Sequence, residues 1–217
     1  MSNIDCEDAL NTTVAMDTRY VTNKKFEEFI PEIVISFGGN VTSGIKEMLC
    51  RNADKFEHWS IEEGGKVIDM YKSLTTIFEC TPEYFFSTFN NHAKGSVNNQ
   101  EYHKSLKNYI DSIIPPNVDF SNIYAIREVV QNIPSNSILH LSINNSIRIT
   151  NFYKLKDNIK VYANIGTHGI DGCLSSFLGQ AFVCEELSFL VIGDLSFFYD
   201  MNALRLRHIR NNVRILM

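Results

Sequence analysis

Two short segments of the chain carry residue types suited to binding phosphate and a metal ion. In the first, Val191-Ile192-Gly193-Asp194-Leu195-Ser196, an apolar run delivers an aspartate with a serine two residues later. A carboxylate at the end of a buried strand supplies the kind of oxygen ligand that Mg²⁺ prefers when it bridges two phosphates. Asp194 as a helix N-cap is an equally good interpretation, since aspartate is a favoured N-cap residue.

The second segment is the glycine-rich turn Asn164-Ile165-Gly166-Thr167-His168-Gly169-Ile170-Asp171-Gly172. It precedes a predicted helix, and the backbone amides at such a helix start can face an anion. Glycines needed only for turn geometry are an equally good explanation. We expect His168 to face solvent rather than to act in catalysis, and His140, in an apolar strand, to be a packed core residue rather than a ligand.

Both segments belong to a pattern of strands that alternate with helices. Four largely apolar runs in the second half predict parallel strands with a ligand at their carboxyl ends: 138–143, 160–163, 188–192 and 213–217, the last at an exposed sheet edge. Helices are predicted at 100–114, 121–132, 171–185 and 196–208, with a short one after 143.

The first half repeats the α/β signature. A strand at 33–37 stops at Gly38-Gly39-Asn40, and a helix follows over 41–50. Strand patterns come next at 58–61, 66–70 and 74–78, and Pro82 opens a further helix. The residues from 89 to 100 are rich in Asn, Gly and Ser, which is typical of a linker.

The two segments together resemble a known family. Gly193-Asp194-Leu195-Ser196-Phe197-Phe198-Tyr199-Asp200-Met201-Asn202-Ala203-Leu204, with Gly169-Ile170-Asp171-Gly172 upstream, is similar to the diphosphate-binding domain of thiamine-diphosphate enzymes. More narrowly, it resembles the 2-succinyl-5-enolpyruvyl-6-hydroxy-3-cyclohexene-1-carboxylate synthases of menaquinone biosynthesis. Further similar segments follow in the family's order: Ile33-Val34-Ile35-Ser36-Phe37-Gly38-Gly39, His58-Trp59, Asp69-Met70-Tyr71 and Val161-Tyr162-Ala163-Asn164.

The resemblance implies an α/β chain of two Rossmann-like, thiamine-diphosphate-fold parallel-sheet units, the second incomplete at its C-terminus. The expected organisation is a polar lead-in at 1–24, a partial central domain at 25–95, a linker and helix at 96–120, and a diphosphate-binding domain at 121–217. The family's aminopyrimidine-binding domain, with its catalytic glutamate, has no counterpart in the chain. We therefore expect no catalytic residue here and an inactive chain on its own.

The resemblance also implies cofactors and roles. The cofactors are thiamine diphosphate and Mg²⁺ (or Mn²⁺), with Asp194 as the metal ligand. Gly193, Leu195 and Ser196 would cradle the diphosphate, while Gly169, Ile170, Asp171 and Gly172 line the cofactor cleft. The cofactor ylid would attack 2-oxoglutarate, lose CO₂ and add the succinyl carbanion to isochorismate, with the protein supplying orientation and charge. Arg148 and Asn164 are the candidate substrate residues, and the full-length enzyme would be a homodimer or larger.

Three positions depart from the family pattern. Its metal motif closes with an asparagine pair about 25 to 30 residues after Gly-Asp. Asn211-Asn212 comes too early, so we interpret it as a polar turn. Ile165 replaces a family arginine, and Gly44-Ile45 replaces a basic pair, with Lys46 as a displaced substitute. Two alternatives therefore stay open: a relative with a different keto acid or acceptor, and a non-catalytic binding or assembly module.

Composition excludes several other classes of protein. The 217 residues carry a net charge of −5, which disfavours binding to nucleic acid or anionic membranes. The basic residues between Arg205 and Arg214 are expected to form the solvated flank of a helix. The five cysteines show no C-x-x-C pair, and neither a signal peptide nor a membrane span is evident, so we predict a soluble, cytoplasmic protein with reduced thiols.

Overall fold

The computed structural model describes residues 23–39, 44–93, 101–156, 158–166 and 168–217. These residues form two compact units, which divide between Ile113 and Ile114. Each unit is a parallel β-sheet with helices, so the predicted class of two parallel-sheet α/β units is confirmed. Most of the polar lead-in, the turn and helix start at 40–43, and the linker residues 94–100 lie outside the described residues.

The N-terminal unit, which ends at Ile113, contains a three-stranded parallel sheet in the order β1-β2-β3. Its strands are β1 (Ile33–Phe37), β2 (Glu57–Ile61) and β3 (Leu74–Phe78). Its helices are α1 (Asn23–Glu27), α2 (Gly44–Arg51), α3 (Pro82–Ala93) and α4 (Glu101–Asp111), with a 3₁₀ turn at Ala53–Lys55. Residues 66–70 form no strand, because the Asp69 carboxylate accepts hydrogen bonds from the Ser73 and Leu74 amides and fixes a turn there.

A buried imidazole joins two strands of this first sheet. His58 on β2 is fully buried, and its Nε2 lies 2.7 Å from the hydroxyl of Ser36 on β1. Its ring packs edge-on against Tyr71 at 4.8 Å between centroids. Burial lowers the pKa of His58, and the nearby Asp69 charge opposes that shift in part. The imidazole is therefore a neutral packing element of this sheet.

The C-terminal unit, from Ile114, contains a four-stranded parallel sheet in the order β5-β4-β6-β7. Its strands are β4 (Ile138–Leu141), β5 (Lys160–Ala163), β6 (Ser188–Val191) and β7 (Val213–Leu216). Its helices are α5 (Asn122–Asn132), α6 (Asn145–Thr150), α7 (Cys173–Val183) and α8 (Asp194–Tyr199), followed by a 3₁₀ turn at Met201–Arg205. The strand β7 lies at the edge of this sheet, as predicted.

The core of this unit lies on both faces of its sheet. Leu139 and Leu141 of β4 pack in one apolar cluster with Val191 of β6. Leu190 and Ile192 pack in a second cluster. Because side chains alternate along a strand, the two clusters cover opposite faces. A sheet buried on both faces leaves only its edges and loops for chemistry.

The helices predicted at 171–185 and 196–208 have different bounds in the structure. The helix predicted at 171–185 begins at Cys173, because Gly172 has a φ of 78°, in the left-handed region. The helix predicted at 196–208 begins earlier, at Asp194, and ends at Tyr199. It stops where the carboxylate of Asp200 turns away to bind the first turn of α7.

His140 is a packed core residue, as predicted. It is 8% exposed and lies between the rings of Tyr162 and Phe177, at centroid distances of 5.2 and 5.4 Å. Its Nε2 lies 3.1 Å from Oε1 of Gln180. Burial lowers its pKa to about 4, and the hydrogen bond to Gln180 opposes that shift only in part.

A chain of hydrogen bonds fixes which nitrogen of His140 carries the proton. The Ser188 hydroxyl donates to the carbonyl oxygen of Glu186, so it accepts from the Cys184 thiol. That sulfur accepts from the side-chain amide of Gln180. The Gln180 oxygen therefore accepts from Nε2–H of His140.

We predict that this imidazole makes stability depend on pH. Because its folded pKa is about 4 against 6.5 in the unfolded chain, its contribution is complete above pH 6.5 and is lost as the pH falls toward 4. The loss reaches roughly 3 kcal/mol at about 1.4 kcal/mol per pKa unit. Urea unfolding of the wild type and His140→Phe across this range measures it. His103→Gln, at an exposed position, is the control, and a wild-type minus His140→Phe difference that does not change with pH contradicts the prediction.

Candidate functional site

The strand order of the C-terminal unit creates a crevice at one edge of its sheet. From the central strand β4 the chain passes to β5 on one side, then returns through α7 to β6 on the other side. Ligands of such sheets bind at the carboxyl ends of strands where neighbouring connections diverge, which here is between β4 and β6. Leu141 is paired with Val191, and the Ser142 amide donates to the Val191 carbonyl at 3.0 Å. The two strands therefore end level at this crevice.

Asp194 follows directly after the end of β6. It is exposed and is the first residue of α8, and its Oδ1 accepts a hydrogen bond of 2.8 Å from the Leu195 amide. Gly193, in extended backbone, occupies the N-cap position. The interpretation of Asp194 as the N-cap is therefore wrong, and its carboxylate stands at the mouth of the crevice.

The glycine-rich turn after β5 has a defined conformation at its end. Gly172 adopts a φ of 78°, and a Cβ there would meet the side-chain nitrogen of Asn164 at 3.4 Å. The Asp171 carboxylate accepts from the Gly172 amide at 2.8 Å. His168 is exposed, as predicted, while Thr167 lies outside the described residues. The left-handed backbone at 172 thus favours glycine, and Asn164 lies at ordinary contact distance from it.

A single hydroxyl joins the two predicted segments. Ser196 is 4% exposed, and its hydroxyl donates to the carbonyl oxygen of Ile170. Since β5 and β6 lie on opposite sides of β4, this bond spans the end of the central strand. The structure therefore brings the segments 169–172 and 193–196 together at one place, with the Ser196 hydroxyl committed to holding them there.

One contact at this site was missed by the sequence reasoning. Asp200, which is 9% exposed, accepts a hydrogen bond of 2.6 Å from the Ser175 amide and a second from the Ser175 hydroxyl. The available signal was its spacing, since Asp200 comes one helical turn after Ser196 and shares its face of the helix. It is a second tie between α8 and the start of α7.

Comparison with known proteins places this site in a family. No protein-family model matches the chain. The chain is 38% identical over 194 residues to the 2-succinyl-5-enolpyruvyl-6-hydroxy-3-cyclohexene-1-carboxylate synthase of Bacteroides fragilis, a match that covers 88% of this chain and 34% of that protein. It is also 38% identical to the synthase of Bacteroides thetaiotaomicron, over 89% of this chain and 35% of that protein. The chain belongs to this synthase family. It spans about a third of the length of the curated relatives it matches.

A more distant relative extends the match along the chain. The synthase of Flavobacterium johnsoniae is 28% identical over an alignment 227 positions long, which covers 100% of this chain and 39% of that protein. The resemblance expected from the sequence motifs is thereby confirmed at the level of the family. The two strand-end segments lie within this alignment, so they can be compared with the corresponding segments of the synthase family.

The two candidate substrate residues differ in their contact with the joined loops. Asn164 follows β5, and its side-chain nitrogen donates to the Asp171 carbonyl at 3.5 Å. Arg148 is exposed on α6, the helix that follows β4. Among the described residues, no hydrogen bond or ion pair joins Arg148 to 169–172 or 193–196. Only Asn164 therefore belongs to the connected part of the site.

Asn212 has a structural task, as its interpretation as a polar turn residue predicts. Its side-chain nitrogen donates to the carbonyl oxygens of Ala181, Cys184 and Glu186, at 3.2, 3.1 and 3.1 Å. It thus closes the end of α7 against the start of β7. The basic residues between Arg205 and Arg214 are exposed, but beyond the 3₁₀ turn they lie on a loop and on β7, so the predicted helix flank is wrong.

The described part of the chain holds no cluster of three or more His, Cys, Asp or Glu side chains that could bind a metal ion. In those same residues, no helix combines the length and apolar character needed to cross a membrane. The two joined segments carry two exposed carboxylates, those of Asp171 and Asp194.

We predict that Ser196→Ala loosens the tie between the loops. Loss of the hydroxyl leaves the Ile170 carbonyl without this donor, which costs about 1 to 2 kcal/mol of unfolding free energy. Amide hydrogen exchange across 169–172 should become faster. Leu195→Ala, at an exposed neighbouring position, is the control. Equal protection of 169–172 in both variants would contradict the prediction.

We predict that Asn212→Asp destabilises the chain more than Asn212→Ala. The aspartate variant would place a carboxylate against three carbonyl oxygens, whereas alanine only removes the donor. The difference should be about 1 kcal/mol or more in urea unfolding. Asn211→Asp, an exposed neighbour with the same change of charge, should have little effect. A ranking with alanine as the worse substitution would disprove this role.

Proposed function

We propose that this chain binds the diphosphate of thiamine diphosphate and its Mg²⁺ ion as part of a synthase that decarboxylates 2-oxoglutarate and adds the succinyl unit to isochorismate. The observation that carries the proposal is the meeting of 169–172 with 193–196 at the crevice between β4 and β6, through the bond from Ser196 to Ile170. Family membership supports the proposal, since the relatives are named as synthases of the product of this reaction.

The residues at the crevice fit a diphosphate that carries a metal ion. Asp194 offers an exposed carboxylate, and Mg²⁺ and Mn²⁺ both favour oxygen ligands. Around Gly193 the space is open, since a Cβ built there would meet no atom within 4 Å. The diphosphate oxygens and water would complete the coordination, as is usual for a magnesium ion held by few protein ligands.

The four residues from 193 to 196 then have distinct tasks. Asp194 holds the metal ion, and the Leu195 amide orients that carboxylate through its hydrogen bond to Oδ1. Gly193 keeps the approach open for the diphosphate. Ser196 acts through its buried hydroxyl, which holds the loop 169–172 in place, rather than as a direct donor to phosphate. When bound, thiamine diphosphate supplies the electron sink for the loss of CO₂.

The rest of the proposed assignment concerns substrate and domains. Asn164 and Arg148 follow the strands β5 and β4 at the same edge of the sheet, where substrate would approach the cofactor. We assign 25–95 to a partial central domain and 121–217 to the diphosphate-binding domain. The catalytic glutamate of the family would come from outside this chain, so binding without turnover is expected of the chain alone.

Calorimetric titration with thiamine diphosphate and Mg²⁺ tests the proposal. We expect Asp194→Asn to weaken binding of the magnesium–cofactor complex by at least roughly tenfold, the lower end of what loss of even an outer-shell partner costs a metal site. Asp119→Asn, an exposed carboxylate in the same unit, is the control with the same change of charge. Equal binding by the wild type and Asp194→Asn, or none by the wild type, would count against the proposal.

A further inference from the structure

The carboxylate of Asp200 is the one acid of the α8 region that is buried. It is 9% exposed, whereas Asp194 at the other end of α8 is exposed. Its two oxygens accept from the amide and the hydroxyl of Ser175, the third residue of α7. A buried carboxylate is costly unless it is hydrogen-bonded, so this pair of bonds accounts for its place in the interior.

Asp200 provides the hydrogen-bond acceptor that caps the start of α7. The first amides of a helix have no partner within the helix, and the N-cap side chain ordinarily accepts from one of them. The N-cap of α7 is Gly172, which has no side chain. A carboxylate from the end of a different helix therefore caps α7, and its negative charge also suits the positive end of the helix dipole.

The contacts of Ser196 and Asp200 form a two-point clamp. The two residues lie four positions apart, on one face of the helical turn. Ser196 binds the carbonyl of Ile170, and Asp200 binds Ser175, so the contacts fall on either side of Gly172. The left-handed turn at Gly172 is thereby fixed relative to α8, which begins with Asp194.

We propose that Asp200 is a positioning residue for the magnesium–diphosphate site. It does not touch the cofactor; it fixes the first turn of α7 so that the loop 169–172 and Asp194 keep a constant separation. This inference rests on the proposed function, because the separation matters only if both segments hold one ligand. Its geometric part, the clamp on 169–175, is measurable without a ligand.

The test compares two lost helix caps in the same unit. Asp200→Ala removes the cap of α7, and Ser121→Ala removes the side chain that accepts from the Tyr124 amide at the start of α5. We expect amide exchange over 169–175 to accelerate about tenfold or more in Asp200→Ala, and the calorimetric dissociation constant of the magnesium–thiamine diphosphate complex to rise about tenfold. Ser121→Ala should change neither quantity.

A second set of variants covers the case in which Asp200→Ala fails to fold. Asp200→Asn keeps an acceptor for the Ser175 amide but loses the charge, so an intermediate effect on both readouts is expected. Where Asp200→Ala folds, Ser175→Ala should have no further effect when added to it, because the hydrogen bond from the Ser175 hydroxyl to the carboxylate is already lost.

The outcomes separate the two proposals. If exchange over 169–175 is the same in the Asp200 and Ser121 variants, the positioning role is overturned. If exchange accelerates but the dissociation constant is unchanged, Asp200 is only a structural cap, and the positioning role is again overturned. If the wild-type chain does not bind the magnesium–cofactor complex, the proposed function fails, and accelerated exchange in the Asp200 variants still supports the clamp.

Discussion

The candidate site depends on the register of β4 and β6, which places the last residues of the two strands opposite each other. Leu141 lies opposite Val191, and the hydrogen bond from Ser142 to Val191 continues the ladder one residue past β4. All four residues of β4 are buried, with apolar clusters on both faces of the sheet. The polar groups that can bind a ligand therefore lie in the loops at the strand ends. Among those loops, the ones after β4 and β6 are the expected ligand site, because the connections diverge between these two strands.

Gly172 permits a left-handed turn at the start of α7 but has no side chain that could cap this helix. Its φ of 78° lies in the left-handed region, which a residue with a side chain adopts only with strain. The same residue leaves the helix without a cap of its own. The compensation comes from α8, whose side chains bond to the segment on both sides of Gly172. The left-handed turn at Gly172 and the capping of α7 by Asp200 thus both follow from the presence of glycine at this position.

The sequence could predict those features that depend on neighbouring residues. The apolar runs at 189–192 and 213–216 predicted parallel strands, which the structure contains as β6 and the partly buried edge strand β7. The aspartate and serine at 194 and 196 predicted a polar strand end. The largest error in a helix boundary lies beside a contact with a distant partner. The helix predicted at 196–208 ends at Tyr199 because Asp200 binds Ser175, which lies 25 residues earlier. No periodic pattern encodes such a contact, although family motifs showed that both segments belong to one site.

Burial separates the roles of the polar groups in this unit. Asp200 is buried, and both of its carboxylate oxygens accept hydrogen bonds from Ser175. His140 is also inside, where burial lowers its pKa to about 4, and its Nε2–H is committed to the chain of hydrogen bonds that runs through Gln180 to the Glu186 carbonyl. A buried group whose bonds are directed in this way holds structure but has little capacity left for a ligand. Asp194 is exposed, and in the described part of the chain only one of its oxygens is bonded, to the amide of its neighbour. An exposed carboxylate can bind a cation without the cost of burying an unpaired charge, so Asp194, rather than Asp200, is the metal-binding candidate of α8.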